Sequence, residues 1–427
     1  MARTVVFFPE SAYGPTNNCV GIADVMRRAG WRVVFIAEES FEGTLAEKGF
    51  EERLMRLSEP DPDASEDPGQ FWKDFIRETA PEFRKPTIEQ LEGFIAPTFQ
   101  ALIDGARYVD ERLVEIIDEV RPDVIVEDNV VSFPAVTGGS GVPWVRIVSC
   151  NPAEIKDPEV PPAFSGYPVA DRSGWDEFRA EYARVIGPLH ASFDEFCRER
   201  GAPPLPELEL IHDSPDLNLW LYPHEADYAR AIPLQVEAGW HNLESSVRAT
   251  DAEWRLPETL ASTEGPLVYL SLGSLGSGDV ELMRRLIASL ADAPYRVIVS
   301  MGPQHEELEL AENMVGAEFL PQPSILPQVD LVITHGGNNT VTECLHFGVP
   351  MVVLPLFWDQ YDNAQRIDET GLGRRLETYR HAPEDLRAAI DELLADRELA
   401  SRLGGIANRL QAARGTARAA ELIASVP

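Results

Sequence analysis

FLPQPSILPQVDLVITHGGNNTVTECLHFGVPMVVLPLFWDQYDNAQRIDETGLG, residues 319–373, sets the fold class by its succession of runs. Residues 331–334 read as a buried strand that passes straight into His335, Gly336 and Gly337. Residues 339–347 then carry helical spacing, and 351–354 form a second apolar strand. Strand, glycine turn, helix, strand is a βαβ unit, which implies a parallel sheet with helices on its faces. Upstream, 267–272 and 295–300 read as further strands around a helix at 279–291. Downstream, three helical stretches at 383–395, 398–413 and 416–426 close the chain.

The first half repeats the scheme. Residues 4–8 are a short apolar strand, 17–29 a helix stopped by Gly30, and 32–36 the next strand, with Asn17 and Asn18 placed as an N-cap pair. A helix at 111–120 leads through Pro122 to a strand at 124–126, and 142–148 supplies another. An amphipathic helix surrounds 175–199. The Pro-rich acidic stretch 58–69 reads as an exposed loop, and after it Phe71, Trp72, Phe75, Phe83, Phe94 and Phe99 fall at helical spacing. Core packing is the expected job of those rings, and a wall of a binding pocket is the alternative.

A chain of 427 residues exceeds one ordinary core, so two domains are expected. The division reads as 1–238, a linker at 239–265, a second domain at 266–410 and a final helix at 411–427 that returns to the first domain. The fold class is therefore α/β, two doubly wound Rossmann-like domains facing across a cleft. The formal charge of -34 excludes a phosphate-rich nucleic-acid surface or an anionic membrane as partner. Cys19, Cys150, Cys197 and Cys344 match neither a disulfide framework nor a zinc pattern. The opening residues lack a signal-peptide pattern and no window reaches 18 uninterrupted apolar residues, so a cytoplasmic location is expected.

In the decisive stretch, two glycines after a buried strand let backbone come close to a ligand, and the first-turn N–H groups of the following helix point at it. That is the arrangement for a diphosphate. Asn339 and Thr340 add neutral donors, and His335 can donate from a ring nitrogen or carry a proton. Glu343, a turn further on, suits a vicinal diol such as a ribose. Taken alone, HGGNNT is equally a capped strand-to-helix turn.

Pro321, Gln322, His335, Gly336, Gly337, Asn339, Thr340, Glu343, Gly348, Val349, Pro350, Asp359 and Gln360 together make the segment resemble the signature box of the inverting family-1 glycosyltransferases. The resemblance extends over both halves and implies the two-domain GT-B architecture. It also implies roles: Phe319 where the family often carries a Trp that stacks on uracil, with Gln322 beside it; His335, Gly337 and the amides at Asn339 and Thr340 on the diphosphate, joined by Ser274; Glu343 on the ribose; Asp359 and Gln360 on the sugar hydroxyls. A ribose-binding Glu343 favours UDP over dTDP, and an intact Asp-Gln pair favours glucose over deoxysugars.

The chain departs from the family where a catalytic His is expected, in the loop after the first strand, because that position is Pro15 and no His precedes His190. Asp128, where a partner Asp is expected, remains. Asp128, Glu10 or a water can then serve as base, an anionic acceptor can dispense with one, or the protein binds a nucleotide sugar without turnover. Asp128 is also readable as a turn cap. The expected activity is transfer of a hexose, glucose foremost, from a UDP-sugar to a small, largely apolar hydroxyl, phenol or carboxylate acceptor. The alternatives are a non-catalytic binding relative or a UDP-sugar epimerase on the same scaffold. No cofactor or metal is expected, since the one Asp-x-Asp triplet, at Asp61 and Asp63, lies in the acidic loop.

Overall fold

The computed structural model describes residues 2–10, 12–58, 79–249 and 252–427. The expected acidic loop from residue 59 on, Asp61, Asp63, Phe71, Trp72 and Phe75 lie outside the described residues. Two parallel sheets carry the chain. The first comprises β1 (Thr4–Pro9), β2 (Arg32–Glu38), β3 (Glu51–Met55), β4 (Val124–Asp128), β5 (Trp144–Val148), β6 (Leu217–Trp220) and β7 (Trp240–Asn242), in the order 3-2-1-4-5-6-7. The second comprises β8 (Leu267–Ser271), β9 (Arg296–Ser300), β10 (Met314–Ala317), β11 (Leu331–Thr334), β12 (Met351–Val353) and β13 (Gly373–Arg375), in the order 10-9-8-11-12-13. Central strands such as TVVFFP, LVYLS and LVIT are buried throughout, as helices on both faces require, and so read as continuous apolar runs.

Both sheets reverse direction of growth once, between β1 and β4 and between β8 and β11. Ligands of open α/β sheets bind outside the strand ends at such switch points. The residues just past those four strands are Glu10, Asn129, the 272–276 loop and His335 to Gly337, so the topology alone points both switch points at the expected site.

The longer helices are α1 (Tyr13–Arg28), α2 (Ala96–Val120), α3 (Trp175–Glu199), α4 (Val280–Leu290), α5 (Asn338–Phe347), α6 (Gln360–Glu369), α7 (Pro383–Ala395), α8 (Arg397–Ala413) and α9 (Gly415–Ser425). Helix α1 starts four residues before the expected position. Ala12, in extended backbone, precedes it, and Pro15 sits in the first turn, where a missing N–H costs nothing. Asn17 and Asn18 are therefore second-turn residues and not an N-cap pair. Strand β7 occupies 240–242, at the head of the expected linker, and completes the edge of the first sheet. Helix α9 packs Ala419, Ala420 and Ile423 against Val5, Phe7, Val20 and Ala23, which ties the end of the chain to the first sheet. Among the described residues no helix is long and apolar enough to cross a membrane.

Candidate active site

The second domain supplies a helix N-terminus whose first turn meets α1 of the first domain. Gly337 precedes α5 in extended backbone and no side chain caps the first turn, so its amides are open to an incoming anion. His335 lies beside them, between two glycines. A Cβ on Gly273 (φ 71°) would fall 2.8 Å from the ring, and one on Gly337 would fall 2.6 Å from Nε2. The glycines are thus required by the imidazole as much as by any ligand. Burial holds the His335 pKa down at about 4, against a backbone hydrogen bond with Ser271 that raises it. The ring is neutral, and its single N–H is the one that donates to the Ser271 carbonyl.

Asn339 is turned away from the expected role of side-chain donor to phosphate. Its Oδ1 accepts from Asn18 Nδ2 at 2.8 Å and its Nδ2 donates to the Gly14 carbonyl at 2.9 Å, both in α1. Only its backbone N–H remains for an anion. Thr340 Oγ1 accepts from Gln322 Nε2 at 3.2 Å, and the same nitrogen donates to Glu343 Oε2 at 2.6 Å. Glu343, 4% exposed, also accepts from Arg248 Nη1 at 3.1 Å. Ser274 is half-buried in the helical turn after β8, and Phe319 is 53% exposed.

Asp359 and Gln360 open α6. Asp359 Oδ2 accepts from the Asn151 backbone N–H of the first domain at 2.8 Å and from Asn363 Nδ2 at 3.3 Å. Burial pushes its pKa up to about 7. Gln360 spends Oε1 on the backbone N–H groups of Leu356 and Phe357, at 3.0 and 3.3 Å, which fixes the loop before it.

Facing these groups, the first domain presents carboxyls at its own switch point. Asp128 is 3% exposed; Oδ1 accepts from Ser149 Oγ at 2.8 Å and Oδ2 is buried without a hydrogen-bond partner. Burial holds its proton tightly, the Ser149 bond works against this, and Glu10 and Glu154 add to it. Glu10 donates its backbone N–H to the Asp128 carbonyl at 2.7 Å. Burial, then Glu154, brings the Glu10 carboxyl up to about 7. Beside them lies a cavity of about 510 Å³, walled by Phe99, Val160, Phe164, Tyr182, Leu208 and Trp358, with Glu154 and Glu209 among its polar residues. Glu10 lines a smaller one of about 60 Å³ that shares Val130 with it.

The family model for UDP-glucoronosyl and UDP-glucosyl transferase matches residues 217–406. Across 96% of its length the chain is 25% identical to the NDP-glycosyltransferase YjiC of Bacillus subtilis (strain 168), 93% of which is covered. Across 98% it is 26% identical to the oleandomycin glycosyltransferase of Streptomyces antibioticus, 90% of which is covered. Nearly the whole chain is thus similar to glycosyltransferases, and residues 217–406 match their family model. The glycotransferase of kitacinnamycin shares the fold, with a TM-score of 0.67 at 22% identity over 100% of both chains. These two relatives and this structural neighbour are glycosyltransferases by name.

The same cluster includes residues that sequence reading did not single out. Arg248, in the expected linker, pairs with Glu343 of the second domain. Ser149 and Asn151, after β5, hold Asp128 and Asp359. Asp362 accepts from the Phe164 and Gly166 backbone N–H groups at 2.6 and 2.8 Å. Of these only Asp362, three residues past Asp359 on the same helix, carried any signal in the signature stretch. Among the aromatics, Phe83 and Phe94 are core residues packed on Phe357, whereas Phe99 is buried and also lines the cavity.

Proposed function

We propose that the transferase moves a hexose, glucose foremost, from UDP-glucose to the hydroxyl of a small, largely apolar acceptor of natural-product type, with inversion at the anomeric carbon. One observation carries the reading: Trp358 lines the apolar cavity while its neighbour Asp359 opens the helix that belongs to the donor side. Adjacent residues of one loop thus touch the places where acceptor and sugar would lie.

In this reading the diphosphate sits on the first-turn amides of α5, with Gly337, Thr340, Ser274 and the neutral His335 beside it, and the helix dipole takes up charge as UDP leaves. Glu343 receives the ribose diol. Arg248 and Gln322 each use one lone pair of that carboxylate, and others remain. Phe319 serves the uracil. Asp359, held by Asn151, and Gln360 serve the sugar hydroxyls. No metal or cofactor is invoked, and a cytoplasmic location belongs to the same reading.

The acceptor proton passes to the Glu10–Asp128 pair. Glu10 is its half-buried member and is balanced near neutrality, where a general base works best. Asp128, the base expected from sequence, stands behind it on Ser149. Glu10, Asp128, Glu154 and Asp359 already lean to their neutral forms because charge is costly at this end of the cleft, and the same cost falls on an anionic acceptor, which favours a neutral hydroxyl. Incubation with UDP-glucose and phenols, with free UDP as the readout, tests the reading. UDP release that requires the acceptor supports it; tight UDP-glucose binding without release speaks for the binding relative instead.

A further inference from the structure

Among the described residues six non-glycine side chains sit on a left-handed backbone, and three of them, Phe164 (φ 70°), Leu208 (φ 56°) and Trp358 (φ 57°), line the same 510 Å³ cavity. Bulky residues avoid that conformation and glycine does not. Strain of this kind persists only where surrounding structure enforces it, and it gathers at ligand-binding sites.

Here the enforcement comes from both domains. The Trp358 ring, from the second domain, lies 4.7 Å from Phe164 and 5.0 Å from Phe99 between centroids. Its neighbour Phe357 lies 4.6 Å from Phe83 and 5.1 Å from Phe94. Asp362, again from the second domain, holds the backbone N–H of the left-handed Phe164. Tyr182 stacks on Phe164 at 6.4 Å. The cavity is therefore completed by Trp358 of the second domain, and the Trp358, Phe164, Phe99 and Tyr182 rings supply aromatic walls to it beside aliphatic, proline and charged residues. Such walls reward a flat aromatic guest with quadrupole contacts that a saturated skeleton of equal size does not make.

We propose, resting on the transferase reading above, that Trp358 and Phe164 form an interdomain aromatic clamp that selects a flat aromatic acceptor, with Trp358 as the acceptor-specificity residue.

The full-length protein is titrated by calorimetry with naphthol and with its saturated analogue decalol, each with and without UDP. Three forms are compared: the unmodified protein, Trp358→Phe and Trp358→Gly. The glycine variant suits the local backbone and so keeps the fold. The unmodified protein should bind naphthol about 10-fold or more tighter than decalol, and Trp358→Gly should lose about 10-fold in naphthol affinity and most of that preference. Trp358→Phe should stay within about 3-fold of the unmodified protein, and UDP binding should be unchanged in all three. An unchanged naphthol affinity in Trp358→Gly, an equal loss for both ligands, or no preference in the unmodified protein overturns the clamp. Failure of UDP to bind the unmodified protein counts against the transferase reading alone, because the titrations without UDP still decide the clamp.

Discussion

Asn18 Nδ2 donates to Asn339 Oδ1 at 2.8 Å, from the first helix of one domain to the first turn of the helix that faces the other side of the cleft. Asn339 returns a bond to the Gly14 carbonyl at 2.9 Å, one residue before Pro15. The first turn of α1, where the family resemblance led to the expectation of a histidine, is here tied to α5.

That tie should be measurable as coupling. Asn18→Ala and Asn339→Ala should each lower kcat/KM, the latter by about 10-fold because it removes two hydrogen bonds. In a double-mutant cycle the combined loss should fall short of the sum by about 1 kcal/mol. Strict additivity would mean that the two side chains act independently and that the contact does not order the cleft.

Glu343 and its partners set the nucleotide. Glu343→Ala should weaken UDP binding by about 10-fold or more and dUDP binding by clearly less, since only UDP brings the second hydroxyl for a charged acceptor. Calorimetry with both nucleotides reads the difference. Equal losses would remove the ribose from Glu343 and leave the carboxylate as a structural partner of Arg248 and Gln322.

A third expectation concerns the glycines around His335. Gly337→Ala places a Cβ 2.6 Å from the ring and must displace it, so UDP affinity should drop about 10-fold. Gly404→Ala, on α8 with nothing within 4 Å, is the control and should gain up to about 1 kcal/mol in stability from helix propensity. If both variants bind UDP equally, the imidazole is not part of the phosphate site.

The pH profile follows from Glu10. Its carboxyl is up at about 7, so it is protonated and idle below that pH and ionised above it. Transfer to a neutral hydroxyl should rise with pH up to about 7 and then level off. Glu10→Gln should abolish this limb and cost about 10²-fold or more in kcat, with a smaller loss in Asp128→Asn. A larger loss in Asp128→Asn would make Asp128 the proton acceptor itself. The neutral His335, down at about 4, should contribute no limb between pH 5 and 8.

The parts of the fold legible in sequence are those where burial on both faces leaves a continuous apolar run: β1, β2, β8, β11 and β12 all fall within a residue or two of expectation. The strands that escaped notice are edge or near-edge elements: EERLM, LNLW, WHN, MVGA and GRR are short or charged, and long-range pairing makes them strands. The site divides in the same way. His335, Glu343 and Asp359 declare themselves through motif spacing on one contiguous stretch. Arg248, Ser149 and Asn151 act only because separate loops converge on Glu343, Asp128 and Asp359, and nothing in their local sequence marks that. The left-handed backbone of Trp358 is likewise a tertiary fact. Asn339 shows the limit from the other side, since its place in the motif suggests a phosphate donor while its side-chain amide is spent on Asn18 and Gly14.

The central claim is inverting transfer to a hydroxyl held in the aromatic cavity, and the anomeric configuration of the product tests it most directly. With UDP-glucose, whose sugar is α-linked, and naphthol as acceptor, proton NMR of the purified product should show a β-glucoside formed in step with released UDP. An α-glucoside, or UDP-glucose bound with no product formed, would contradict the account.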